Sequence, residues 1–288
     1  MKPIIKCVLW AMFLVLYLGC SKDNPDEQTP TKEPEVVEAY EALNVSYGPD
    51  ENQVFDIYLP ENRTASTKTL ILIHGGSWFS GDKSDMNTIK LFISTLHPDV
   101  GIINMNYTLA GVNNPPVPMQ TEDISAVVDY LSTNKTSLII SDDIGFIGVS
   151  AGAHLSLLWS YAYDTNNQVD MVCSIVGPTN FTDPNYYDNP LYQPVFKLFG
   201  NPSVEFLESA SPYYRATATS PPTQLFYGGM DPLVPTSQGV DMDAQLTTLG
   251  VTHEFHFYPD EGHGWEGANL LDTTTKISTF IETYIETE

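Results

Sequence analysis

The sequence predicts an α/β fold with a mostly parallel central sheet and helices on both faces. Two observations carry this. Short apolar runs recur along the chain, each followed by Gly or a polar turn, and each is apolar at consecutive positions, as strands covered on both faces must be. Between them lie longer segments with helical spacing of apolar residues, and strand–helix alternation of this kind places a functional site past the C-terminal ends of the strands.

The elements follow in order. Gln53-Val54-Phe55-Asp56-Ile57-Tyr58-Leu59 alternates at period two and predicts an early strand with one exposed face. Buried strands are expected at Leu70–Ile73, Val100–Met105, Ile144–Val149, Met171–Val176 and Leu225–Tyr227, with a final strand at His253–Tyr258. Helices are expected near Asp85–Leu96, Asp123–Leu131, His154–Tyr163, Gln238–Leu249 and Thr273–Tyr284. No internal repeat and no second linker interrupts this pattern, so residues 40–288 read as one domain.

Composition narrows the function. Twelve Lys and Arg stand against 36 Asp and Glu, a formal net charge of −24, so the basic footprint of a nucleic-acid binder is missing. Charged residues are only 17% of the chain and aromatic residues 11%, which excludes a wholly disordered acidic protein.

The first residues differ from the rest. Lys2 and Lys6 precede an apolar run from Val8 to Leu18, which is too short for the roughly 20 residues of a spanning helix and reads as a signal-peptide core. The run ends Leu16-Tyr17-Leu18-Gly19-Cys20, which resembles a bacterial lipobox, although Tyr17 stands where Leu is usual. That resemblance implies cleavage after residue 19 and lipid attachment at Cys20. Ser21-Lys22-Asp23-Asn24 resembles the surface-export signals of Bacteroidetes-type lipoproteins. Residues 20–39 are rich in Pro, Thr, Asp, Glu and Lys and nearly free of large apolar residues, so they read as a disordered tether. A cell-envelope location with a lipid anchor as the membrane contact is therefore expected. Of the other cysteines, Cys7 lies in the signal and Cys173 in an apolar run, where it reads as a small buried hydrophobe.

The chemistry concentrates at strand ends. Gly148-Val149-Ser150-Ala151-Gly152 fits G-x-S-x-G, with a buried strand running in and a helix leaving. So sharp a reversal needs small residues at 148 and 152 and thrusts Ser150 clear of the sheet, beside a helix N-terminus that favours developing negative charge. His74-Gly75-Gly76-Ser77-Trp78 also follows a strand, and its glycines leave backbone N–H groups free to join that of Ala151 around an oxyanion.

Six histidines compete for the role of base. His74 lies in the glycine turn, His154 on the helix behind Ser150, and His97 before Pro98. His253 and His256 fall on opposite faces of a strand, which also weakens any His-x-x-His metal site. His263, in the loop after the last strand, is expected to reach Ser150. Asp231, after the preceding strand, lies on the same edge and is the expected acid, with Asp260 its main rival; Asp142 and Asp143 precede their strand and lie at the opposite edge.

The order Ser150, Asp231, His263, with the His-Gly-Gly turn upstream, resembles the α/β-hydrolase superfamily. More narrowly, Val54-Phe55-Asp56-Ile57-Tyr58-Leu59-Pro60 followed by His74-Gly75-Gly76-Ser77-Trp78 resembles bacterial feruloyl and acetyl-xylan esterases, over roughly Leu43 to Tyr284. The resemblance implies oxyanion donors at Gly76, Ser77 and Ala151, although many relatives carry a third glycine where this chain has Ser77. It implies a serine carboxylic-ester hydrolase with no metal or cofactor, acting on short-chain or hydroxycinnamoyl esters of polysaccharides. A serine peptidase of the same fold and a non-catalytic glycan-binding protein are the rival readings. The aromatic segment holding Tyr186, Tyr187, Tyr192, Phe196, Phe199, Tyr213 and Tyr214 reads equally as a substrate wall or as a minor core.

Overall fold

The buried runs become strands of one sheet in the computed structural model, which describes residues 36–286 except 112–113, 191–192 and 201. In chain order the strands are β1 (Tyr40–Ser46), β2 (Val54–Leu59), β3 (Thr69–Ile73), β4 (Gly101–Met105), β5 (Ile144–Val149), β6 (Val169–Ile175), β7 (Thr223–Gly228) and β8 (His253–Tyr258). Their spatial order is β1-β2-β4-β3-β5-β6-β7-β8. The β1–β2 and β2–β4 pairs are antiparallel, and every later pair is parallel. The expected signal segment and lipid site, and the tether through residue 35, lie outside the described residues. Residues 37 and 38 already dock on the body, where the carbonyl of Val37 accepts from Asn62 N–H and that of Glu38 from Arg63.

Strand β3 shows why the central runs are mostly apolar. Leu70 and Leu72 point into the layer formed with α1 (Asn87–Leu96) and α9 (Gly267–Tyr284), through Ile93, Ile277, Phe280 and Ile281. Ile71 and Ile73 point into the opposite layer, with α2 (Pro116–Leu138), α3 (Ala151–Ala162) and α8 (Ser237–Leu249). All four side chains are fully buried, each worth roughly 1.5–3 kcal/mol relative to exposure.

Two expectations are corrected, and one strand was not expected. Strand β2 has no solvent face at Asp56: this carboxylate is buried, accepting from Asn44 N–H at 2.8 Å and from Lys83 Nζ at 3.0 Å. The edge strand β1 has no counterpart in the sequence pattern. Helix α2 extends well beyond Asp123–Leu131: it is interrupted at Val117, which is extended at φ −114° and ψ +130°, runs on from Pro118, a residue suited to a first turn, and its C-terminal third is polar surface without apolar period.

The segment between β6 and β7 folds into short helices, α4 (Pro184–Tyr187), α5 (Gln193–Phe196), α6 (Val204–Ser209) and α7 (Pro212–Arg215). Asp183 caps α4 and also accepts from Ser237 Oγ and Gln238 Nε2, which ties this segment to the start of α8.

Candidate active site

Ser150 is the single residue between β5 and α3 and has φ +54° and ψ −117°, a strained conformation for a side chain with a Cβ. The glycines on either side make the turn possible. A Cβ on Gly148 would overlap the carbonyl oxygen of Gly152, and one on Gly152 would overlap the carbonyl oxygens of Ile73 and His74. The Ser150 N–H donates to Ile175 O at 2.8 Å, which fixes the turn to the neighbouring strand.

His263 and Asp231 meet Ser150 in one hydrogen-bonded chain. His263 Nδ1 lies 2.7 Å from Asp231 Oδ2, and Nε2 lies 2.9 Å from Ser150 Oγ. A carboxylate only accepts, so Nδ1–H donates to Asp231 and the bare Nε2 accepts from the serine hydroxyl. The other oxygen of Asp231 accepts from the N–H groups of Leu233 at 2.7 Å and Val234 at 3.0 Å. The Asp231 side chain is 1% exposed and that of His263 21%, so the acid is shielded while the imidazole reaches the surface. Asp260, the rival acid, is exposed.

The acid and histidine loops interlock. Gly229 N–H donates to Tyr258 O and Met230 N–H to Glu261 O, both at 2.8 Å. The approach is so close that a Cβ on Gly228 would strike the carbonyl of Gly262, and one on Gly229 that of Pro259. Beyond His263, Trp265 Nε1 donates to Thr273 Oγ1 at 2.8 Å, Thr273 donates to Tyr258 OH at 2.9 Å, and Tyr258 donates to Asp272 at 2.8 Å. This chain anchors the histidine loop to α9.

The glycine turn lies against Ser150: a Cβ on Gly75 would sit 3.2 Å from Ser150 Cβ. Gly76 has φ +111° and Ser77 φ +52°, so Ser77 occupies backbone space that favours glycine. The Gly76 carbonyl turns inward to accept from Phe79 N–H, Ser80 N–H and Ser80 Oγ. Among the described residues, the N–H groups of Gly76, Ser77 and Ala151 are paired with no protein acceptor.

His74, in the glycine turn, is a structural hydrogen-bonder. It is fully buried, its Nδ1–H donates to Gly75 O at 2.6 Å, and its ring stacks on Tyr107 at 4.2 Å. Burial lowers its basicity against the opposing pull of the Gly75 carbonyl. Two supporting residues escaped the sequence reading. Tyr107 OH contacts the carbonyls of His74 and Gly75 at 3.1 Å each, and Gln120 Nε2 donates to Trp78 O at 2.7 Å. Tyr107 follows strand β4 on the same edge as the site, a signal that was available; nothing in the pattern around Gln120 marks it.

The remaining candidates stay away from Ser150. His97 bridges Glu286 and Ser278, His253 meets Asp243, and His256 meets Glu254. Cys173 is wholly buried, and burial pushes its thiol pKa up. In the aromatic segment Tyr186, Phe196 and Phe199 are buried and pack on Phe181, forming a minor core, whereas Tyr187 and Tyr214 are exposed. Tyr213 is partly buried against Tyr214, and Tyr192 lies outside the described residues.

A mostly parallel eight-stranded sheet, with two antiparallel pairs at one edge and a serine elbow after β5, is an α/β-hydrolase fold. The chain belongs to the BD-FAE family, whose model matches residues 55–246. It is 24% identical over 262 residues to Esterase LipC of Mycobacterium tuberculosis, covering 82% of this chain and 64% of that protein. The chain spans less than two thirds of the length of that relative and of the isoprenylcysteine alpha-carbonyl methylesterase ICME of Arabidopsis thaliana, 22% identical over 76% of this chain and 56% of that one. Among solved structures, a truncated carbohydrate esterase from gut microbiota superposes with a TM-score of 0.70 at 22% identity, covering 84% of this chain and 98% of that one. An acetyl ester-xyloside bifunctional hydrolase from Caldicellulosiruptor lactoaceticus gives 0.67 at 18% identity, covering 80% and 88%.

Proposed function

We propose that this chain is a serine carboxylic-ester hydrolase that works through an acyl-enzyme. The observation that carries the reading is the chain of hydrogen bonds from Ser150 through His263 to Asp231. Ser150 Oγ attacks the ester carbonyl carbon while His263 Nε2 takes the hydroxyl proton, and the carbonyl oxygen becomes an oxyanion facing the N–H groups of Gly76, Ser77 and Ala151. The C–O bond to the alcohol breaks and His263 returns the proton to the leaving oxygen. Water, deprotonated by the same imidazole, then cleaves the acyl group from Ser150. Asp231 holds the tautomer and offsets the imidazolium charge.

Ser150→Ala in purified protein should lose on the order of 10⁴–10⁶ in kcat on p-nitrophenyl acetate. Turnover at the wild-type rate would show that another group is the nucleophile.

For the substrate we infer short-chain or hydroxycinnamoyl esters on polysaccharides. Two solved neighbours bear carbohydrate-ester names, and the partial exposure of Ser150 and His263 suits an alcohol too large to be enclosed. Release of acetate from acetylated xylan or ferulate from methyl ferulate supports this; activity confined to long-chain p-nitrophenyl esters refutes it. The Gly19-Cys20 junction supports a cell-envelope lipoprotein, and labelled palmitate should enter the wild-type chain but not Cys20→Ala.

A further inference from the structure

The turn after β3 carries three successive residues with positive φ, Gly76 at +111°, Ser77 at +52° and Trp78 at +68°. Such a conformation is open to glycine but strained for serine and more so for tryptophan, so it persists only where the surroundings dictate it. The backbone supplies one anchor: the Trp78 carbonyl accepts from Gln120 Nε2 at 2.7 Å and from Ala110 N–H at 2.8 Å. The side chain supplies another, because Trp78 Nε1 donates to His154 Nδ1 at 3.1 Å.

His154 is fully buried on α3, one helical turn beyond the nucleophile, and its own N–H donates to Ser150 O at 3.0 Å. Its Nε2 lies 2.8 Å from the carbonyl oxygen of Ala210, at the corner between α6 and α7. An indole N–H only donates and a carbonyl only accepts, so the tautomer is determined: Nδ1 is bare and Nε2 carries the hydrogen. Indole and imidazole meet edge to face at 5.2 Å, and Phe181 covers both at 5.7 and 4.7 Å. One side chain thus joins the nucleophile helix, the strained turn and the aromatic segment.

We propose that His154 is a positioning residue for ester hydrolysis: through Trp78 it sets where the N–H groups of Gly76 and Ser77 stand relative to Ser150. The proposal rests on the reading of those groups as oxyanion donors. His154 exchanges no proton with substrate; it acts as a fixed acceptor for the indole.

The two ring nitrogens can be tested separately. The amide of Asn reaches about as far as Nδ1, and that of Gln about as far as Nε2, so His154→Asn restores an acceptor for Trp78 while His154→Gln restores a donor for Ala210. Both lose one hydrogen bond and should lower the melting temperature by similar amounts. Steady-state hydrolysis of p-nitrophenyl acetate by the full chain, well below both melting temperatures, separates rate from stability. His154→Gln should lower kcat about tenfold to hundredfold with KM within about threefold, as small misplacements of catalytic groups do. His154→Asn should recover most of that loss. Trp78→Phe keeps an aromatic ring, removes the N–H, and should reproduce the kcat of His154→Gln. Equal kcat in the Asn and Gln variants, or wild-type kcat in Trp78→Phe, overturns the proposal. Ser150→Ala run alongside reports on the underlying reading alone, since it must abolish turnover whatever the His154 variants do.

Discussion

Asp231→Asn probes the proposed mechanism at its least exposed point. An amide is nearly isosteric with the carboxylate, so its oxygen can still accept from the N–H groups of Leu233 and Val234 and hold the loop. Its nitrogen then faces His263 Nδ1, where the native distance is 2.7 Å. An amide N–H there donates to Nδ1 and drives the ring hydrogen onto Nε2, which points at Ser150 Oγ across 2.9 Å and can no longer accept its proton. Recovering the working tautomer sets two N–H groups against each other and forfeits a charge-assisted hydrogen bond worth about 1.5–3 kcal/mol. The imidazolium formed during reaction also loses its counter-charge, about 4 kcal/mol at 4 Å and an effective dielectric constant near 20. Together these come to about 5.5–7 kcal/mol, which is on the order of 10⁴–10⁵ in kcat. Steady-state hydrolysis of p-nitrophenyl acetate checks the rate, and thermal melting followed by circular dichroism checks that the fold survives within about 2 °C. A well-folded Asp231→Asn within tenfold of wild-type kcat would refute the assignment of the acid.

Two further outcomes follow from packing and burial. Gly152→Ala should yield little folded protein, because its methyl would overlap the carbonyls at the end of β3; a soluble variant with wild-type melting temperature contradicts the tightness of the elbow. Acidification should destabilise the fold well above the carboxylate range. Burial holds His154 down to about 4 against its ordinary 6.5, and burial lowers His74 and His256 as well. The unfolded chain therefore binds more protons than the folded one between those values, so stability falls as pH drops from about 6.5 towards 4, by up to roughly 3 kcal/mol for His154 alone. Urea midpoints measured from pH 7.5 to 4.5 should show this slope, and His154→Asn should flatten it; an unchanged slope in that variant assigns the effect elsewhere.

What could be read from the sequence was what repeats or what is locally constrained. The strands β3 to β7 were legible because burial on both faces fills most of each run with apolar residues, as Leu70 to Ile73 show. Strand β1 was not, because it is a largely exposed edge and Asn44, at φ +53°, breaks any alternation. Helices α4 to α7 are too short for an apolar period to emerge, and prolines divide them. Asp56 was misplaced because alternation cannot see Lys83, a partner 27 residues away. That Ser150, Asp231 and His263 come together was legible because each follows a strand end on one edge. The clamps Tyr107 and Gln120 belong to no motif, and their roles depend on contacts made across the fold.

The two strained turns are neighbours, and that adjacency accounts for their cost. Strands β3 and β5 pair in parallel with Ile73 opposite Gly148, so the glycine turn and the serine elbow leave the sheet side by side. Ser150, Ser77 and Trp78 all hold positive φ, at roughly 1–3 kcal/mol each. Relaxing any of them would swing a peptide plane and turn its N–H away from the space beside Ser150. The fully buried strands beneath, the Ser150 bond to Ile175 O, and the grip on Trp78 by Gln120 and His154 all oppose that relaxation. In the proposed mechanism those N–H groups must already point at the oxygen before it becomes charged, since donors that reorient during the reaction stabilise it less. The strain is then the means by which unpaired backbone donors are kept in place, and stability drawn from the core offsets it.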